Sequence, residues 1–271
     1  MSSGLCAAIL AVVLSGGEPD AHKVDFKARL GRYEGCFVIK EIGRNWTFRH
    51  SPSRCAERFS PCSTFKIFNS LAGLECGVVT GPDMVLKWDG KPQWNKAWEH
   101  DHTLASAVKE SVVWYFQEVA RRIGPERMNK YLAACDYGNQ DTSGGIDKFW
   151  LSSTLKISPD EQIRFMEDLY TDHLPFRKDV MATVRKLLVF KQGGDWVFSG
   201  KTGTAATNDK PVMGWFVGQV RSADRQFVFA INIHAEDKVW GSTARDLAFE
   251  ILKDLGLVDD SPPVSDAAQH G

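Results

Sequence analysis

Three apolar runs near the C-terminus, residues 195–199, 212–218 and 226–233, are separated by turn residues and are rich in valine, isoleucine, phenylalanine and tryptophan. Such runs read as successive strands, and antiparallel pairing is the simplest way to connect them. Beyond them Ala244, Leu247, Ala248, Ile251 and Leu255 recur on one side of a final amphipathic helix, followed by a loose tail over residues 259–271. Two short strands are expected earlier, at 35–40 and 45–48. A sheet drawing strands from both ends of the chain gives an α/β (α+β) class: an antiparallel sheet flanked by helices, with a mostly helical second subdomain. The corresponding segments are 23–82 and 191–258 for the sheet and its helices, 83–190 for the helical insertion, and 1–22 for a leader-like start.

The middle of the chain is patterned as helix. Leu104, Val108, Val112, Tyr115 and Val119 recur at intervals of four, four, three and four residues, which predicts one helix over 104–123 with a single buried stripe. Ser158, Pro159, Asp160 and Glu161 start another, with a capping serine, proline in the first turn and acids beside the positive helix end.

Charge and cysteine content narrow the partners. In 271 residues, 33 basic side chains face 34 acidic ones, so there is no electrostatic footprint for nucleic acid. Residues 5–14 have the length of a secretory apolar segment and are too short to span a bilayer; the reading is export to the periplasm or medium, with no stable membrane span. Of the six cysteines (6, 36, 55, 62, 76 and 135), removal of the leader would leave five, which cannot all pair within one chain. No C-x-x-C spacing occurs, and His100 with His102 reads as a solvated pair, so no metal is expected. Nothing in the sequence specifies an oligomeric state.

Ser63 and Lys66 carry the first chemical signal. The S-x-x-K spacing occurs three times, at Ser63/Lys66, Ser106/Lys109 and Ser153/Lys156, but only Lys66 is crowded by Phe65, Ile67, Phe68, Leu71 and Leu74. An ammonium there is costly to bury. On a helix beginning near Ser63, the hydroxyl and the amine share a face, the geometry in which a base takes a proton from a nucleophile. Free N–H groups of a first helical turn can also meet an oxyanion. Ser111 places a hydroxyl on the apolar 104–123 stripe, either to meet a partner or to bond back to its own helix. Lys201, Thr202, Gly203 and Thr204 follow a hydrophobic strand; read alone they form a turn, in which the glycine would admit a substrate backbone and the lysine would supply charge.

Ser63-Thr64-Phe65-Lys66, Ser111-Val112-Val113, Tyr137-Gly138-Asn139, Phe149-Trp150-Leu151 and Lys201-Thr202-Gly203 occur together in the order and approximate spacing of the class D, oxacillinase-type serine β-lactamases, which the chain resembles from about residue 25 to 257. Valine at 113, where the class A pattern has asparagine, fits class D and its sensor relatives. The resemblance implies an active site between the two subdomains, a β-lactam as small-molecule substrate, and no cofactor beyond carbon dioxide or bicarbonate. It implies that Lys66 is N6-carboxylated and serves as general base, with Val113 and Leu151 keeping it dry and the Trp150 indole donating to the carbamate. Ser63 would be the nucleophile, and the N–H groups of Ser63 and Thr204 the oxyanion hole. Ser111 would relay a proton with Lys201 nearby, Thr202 and Gly203 would line the substrate, and Arg245 would grip its carboxylate. Tyr137 and Asn139 would edge the site. Two alternatives share the acylation step: a penicillin-sensing receptor domain that holds its adduct, and a cell-wall transpeptidase, which Val113 disfavours.

Overall fold

The computed structural model describes residues 17–262; Cys6, the apolar segment 5–14 and the end of the expected tail lie outside the described residues. In chain order the elements are α1 (Phe26–Leu30), β1 (Glu34–Glu41), β2 (Thr47–His50), α2 (Pro52–Cys55), α3 (Lys66–Glu75), β3 (Val85–Leu86), β4 (His102–Thr103), α4 (Leu104–Lys109), α5 (Val113–Ile123), α6 (Pro125–Ala134), α7 (Pro159–Tyr170), α8 (Lys178–Leu187), β5 (Val189–Gly193), β6 (Trp196–Thr207), β7 (Lys210–Ser222), β8 (Arg225–His234) and α9 (Gly241–Asp254). Six strands form one antiparallel sheet in the order β2-β1-β8-β7-β6-β5, while β3 and β4 pair separately. No strand of the large sheet comes from the chain between β3 and α8.

The expected antiparallel sheet flanked by helices is therefore present. Asn208 and Asp209 join β6 to β7 with φ of 49° and 60°, the left-handed pair of a tight hairpin whose twist matches the strands. Alternation then sorts side chains between two layers. Phe37, Ile39, Phe198, Phe216, Phe229 and Ile231 pack on one face against α1 and α9. Cys36, Val38, Trp215, Val217, Val228 and Ala230 pack on the other, against the helices that include α3, α5 and α7.

Several expectations shift. The helix predicted over 104–123 is two helices, because Ser111 adopts φ 57° between α4 and α5. Its apolar stripe stays buried through the break, which is why periodicity conceals the kink. The strand expected at 45–48 runs instead over Thr47–His50. Lys201, Thr202 and Gly203 lie inside β6 rather than in a turn after it, and β5 was not anticipated. His102 is buried, with ring nitrogens 3.0 Å from Ser106 Oγ and 3.1 Å from Ala97 O, so it is no solvated partner of the exposed His100. Ser158 does cap α7: its Oγ accepts from Glu161 N at 3.1 Å while Glu161 Oε2 accepts from Ser158 N at 2.8 Å.

Candidate active site

The segment before α3 is held by side chains from three directions. Trp215 Nε1 on β7 donates to Ser60 O at 3.0 Å, Ser60 Oγ donates to Trp150 O at 3.1 Å, and Gln162 Nε2 on α7 donates to Thr64 Oγ1 at 3.0 Å. Between these anchors Cys62–Phe65 winds as a 3₁₀ turn, and α3 starts only at Lys66. At three residues per turn, positions i and i+3 eclipse, so the amine of Lys66 lies directly over the hydroxyl of Ser63, at 3.0 Å.

Lys66 is 1% exposed. Its Nζ also donates to Ser111 Oγ at 2.9 Å and to the Ser111 carbonyl, and the left-handed backbone of Ser111 turns both oxygens toward it. Lys201 Nζ approaches the same Ser111 Oγ at 2.9 Å from β6. One hydroxyl thus bridges two buried amines, and among the described residues neither amine pairs with a carboxylate. Instead the rings of Phe116 and Trp98 stand 5.7 and 5.9 Å from Lys66 Nζ. Burial, followed by the charge of Lys201, holds Lys66 well below the ordinary lysine range, and burial lowers Lys201 to about 7.

Ser63, Ser111, Val113, Leu151, Thr202 and Thr204 line a cleft of about 650 Å³ together with Gly203. Gly200 N–H donates to Leu188 O, away from β7, so by the alternation of an antiparallel strand the Thr202 and Thr204 N–H groups point to that same free edge. Gly203 has a second use besides lining the cleft. A Cβ there would stand 3.0 Å from Pro61 O and 3.2 Å from Thr64 Cγ2, so the missing side chain lets β6 approach the Ser63 turn. Trp150 is fully buried and stacks on Phe65 at 5.4 Å; its indole Nε1–H has no partner among the described residues.

Arg245 is not brought to the cleft. It sits one turn into α9, bonds Asp246 Oδ1 through Nε at 2.8 Å, and lies 4.5 Å over the Phe190 ring of β5, so its guanidinium turns away from the lining. Nor do Tyr137 and Asn139 edge the site. Tyr137 is buried against Phe65, Phe68 and Phe165, and Asn139 secures the chain after Trp150 by accepting from Lys156 N at 2.8 Å and donating to Thr154 O at 2.9 Å. Gly138, at φ 56°, would carry a Cβ 2.1 Å from Lys156 O, so the triplet clamps that loop from behind. Sequence reasoning missed Trp94, Trp98 and Trp240 on the cleft wall; Trp94 and Trp240 lie outside helix and strand and Trp98 in a single 3₁₀ turn, so no periodicity identifies them.

Residues 33–255 match the penicillin-binding protein transpeptidase domain family. The chain is 41% identical over 225 residues to the probable β-lactamase YbxI of Bacillus subtilis (strain 168), covering 83% of this chain and 82% of that protein. It superposes on a crystal structure of a class D β-lactamase from Bacillus subtilis with a TM-score of 0.83 at 38% identity, covering 89% of this chain and 99% of that one. It is also similar to the C-terminal domain of the Bacillus licheniformis BlaR penicillin-receptor, with a TM-score of 0.83, 34% identity, and coverage of 87% and 96%.

Proposed function

Because this chain belongs to the class D β-lactamases, within the penicillin-binding protein transpeptidase domain family, we propose that it hydrolyses the β-lactam amide through an ester on Ser63, with Lys66 as the base in both half-reactions. The observation that carries this reading is the buried Lys66 amine, 3.0 Å from the Ser63 hydroxyl and without a carboxylate partner. A primary amine that has lost its proton to burial can add carbon dioxide. Two features fit the carboxylated form: the lowered proton affinity of Lys66, and the buried, unpartnered Trp150 indole N–H, a donor suited to a carbamate oxygen. Carboxylation would supply an anionic oxygen base in place of a neutral amine.

In the proposed cycle Lys66 takes the Ser63 proton as Oγ attacks the β-lactam carbonyl. The N–H groups of Ser63 and Thr204 hold the developing oxyanion; the outward direction of Thr204 N–H on β6 supports this role. Ser111 Oγ, within 2.9 Å of both lysine nitrogens, relays that proton from Lys66 to the departing ring nitrogen, which restores the base, with Lys201 stabilising the transfer. Lys66 then deprotonates the water that releases Ser63. Val113 and Leu151 at the cleft wall limit solvent access to the base. The apolar residues 5–14 support export to the periplasm or medium.

The similarity to the BlaR penicillin-receptor domain favours one second reading, acylation without turnover. Excess penicillin separates the two. Sustained hydrolysis over many equivalents is the expected result; a single stoichiometric burst followed by a stable adduct would reject the hydrolase in favour of the receptor.

A further inference from the structure

Two cysteines meet where α2 crosses β1. Cys36 lies on the inner face of β1, Cys55 ends α2, and both are fully buried. Both belong to one buried cluster, and each lies close enough to the other for Cys55 to act on the Cys36 thiol. Cys55 Sγ lies 3.3 Å from His50 O and 3.8 Å from Phe37 O, the carbonyl of the residue that follows Cys36. The remaining described cysteines sit elsewhere: Cys62 in the serine turn, Cys76 and Cys135 at the ends of α3 and α6. The neighbouring Cys55 thiol and then burial push the Cys36 thiol upward, although the neighbouring Arg54 guanidinium acts in the opposite sense. In the folded, reduced chain the Cys36 thiol is therefore protonated and both sulfurs are shielded from solvent, so oxidation precedes the closing of α2 over β1.

We propose that Cys36 and Cys55 form a disulfide site, oxidised while the chain folds, that staples α2 to β1. Each thiol gives up a proton and the two sulfurs join. The two electrons pass to a disulfide oxidant, either a thiol–disulfide oxidoreductase or a small-molecule disulfide, whose own S–S bond is reduced to two thiols. The bond closes a loop of about 20 residues holding β1, β2 and α2, immediately ahead of the segment that carries Ser63. Its effect is to restrain that loop in the unfolded chain.

The test is to denature the full chain and refold it in a glutathione redox buffer beside a sample kept reduced. The oxidised product should be about 2 Da lighter, yield one cross-linked peptide containing Cys36 and Cys55, and melt roughly 5–10 °C higher. Cys36→Ser and Cys55→Ser should each abolish the mass loss, whereas Cys62→Ser should keep it. Where a lone serine prevents folding, the Cys36→Ala/Cys55→Ala double variant gives the same readout without leaving a thiol unpaired. A refolded mass equal to that of the reduced chain, or a bond mapped to any other cysteine, would overturn the proposal.

Discussion

The two faces of the sheet solve opposite problems. On the α9 face, Phe37, Phe198, Phe216 and Phe229 make a ring cluster with centroids 5.1–6.3 Å apart, and burial of each contributes about 1.5–3 kcal/mol. On the other face the same strands border a layer that buries Lys66, Lys201, Asn69, Thr64 and Gln162. An ammonium without a carboxylate costs more to bury than one such ring returns, so it responds by releasing its proton. Apolar packing thus gives cohesion on one face and chemistry on the other.

Variants on the two faces should separate these roles. Lys66→Ala should lower steady-state turnover by roughly 10³–10⁴-fold while leaving the melting temperature equal or higher, since a strained amine is removed. Mass spectrometry should show any acyl-enzyme it forms persisting. Phe229→Ala should instead cost about 3–5 kcal/mol in denaturant unfolding and leave kcat of the folded enzyme within about threefold. Abolished turnover in folded Phe229→Ala protein would break the comparison.

Trp150→Phe sharpens it. The substitution keeps the ring stack on Phe65 and removes the unpartnered N–H, so deacylation should slow by roughly 10–100-fold with little change in unfolding midpoint, as rapid-quench and thermal melts would show. The pH response has a definite sign. As pH falls, Lys66 regains its proton and cannot hold carbon dioxide, so activity should drop in mildly acidic, bicarbonate-depleted buffer and recover when bicarbonate is added. For Lys201, the unfolded chain holds a proton that the folded one has lost between pH about 7 and 10.5, so stability should rise with pH across that window, and Lys201→Met should flatten the slope. Arg245→Ala should have the smallest effect, changing KM by less than about threefold, because its partners are Asp246 and Phe190.

The sheet was legible because strand runs such as 226–233 combine β-forming side chains with clear turn boundaries. So was the pairing of Ser63 with Lys66, whose apolar neighbours mark the lysine as buried. The break at Ser111 was not, since its stripe continues unbroken on both sides and backbone sign leaves no trace in hydrophobicity. Arg245 was assigned from the resemblance alone, which does not register the pull of Asp246 and a ring on another strand. The Tyr137-Gly138-Asn139 triplet looked like a site edge, and only the contact of Gly138 with the Lys156 carbonyl identifies it as a clamp.

Carbon NMR of the protein equilibrated with ¹³C-bicarbonate reports most directly on whether apolar burial turns Lys66 into a carbon dioxide acceptor. The account predicts one carbamate resonance at neutral pH that disappears in Lys66→Ala and on acidification. Full turnover with no such resonance, or a resonance that survives Lys66→Ala, would contradict it.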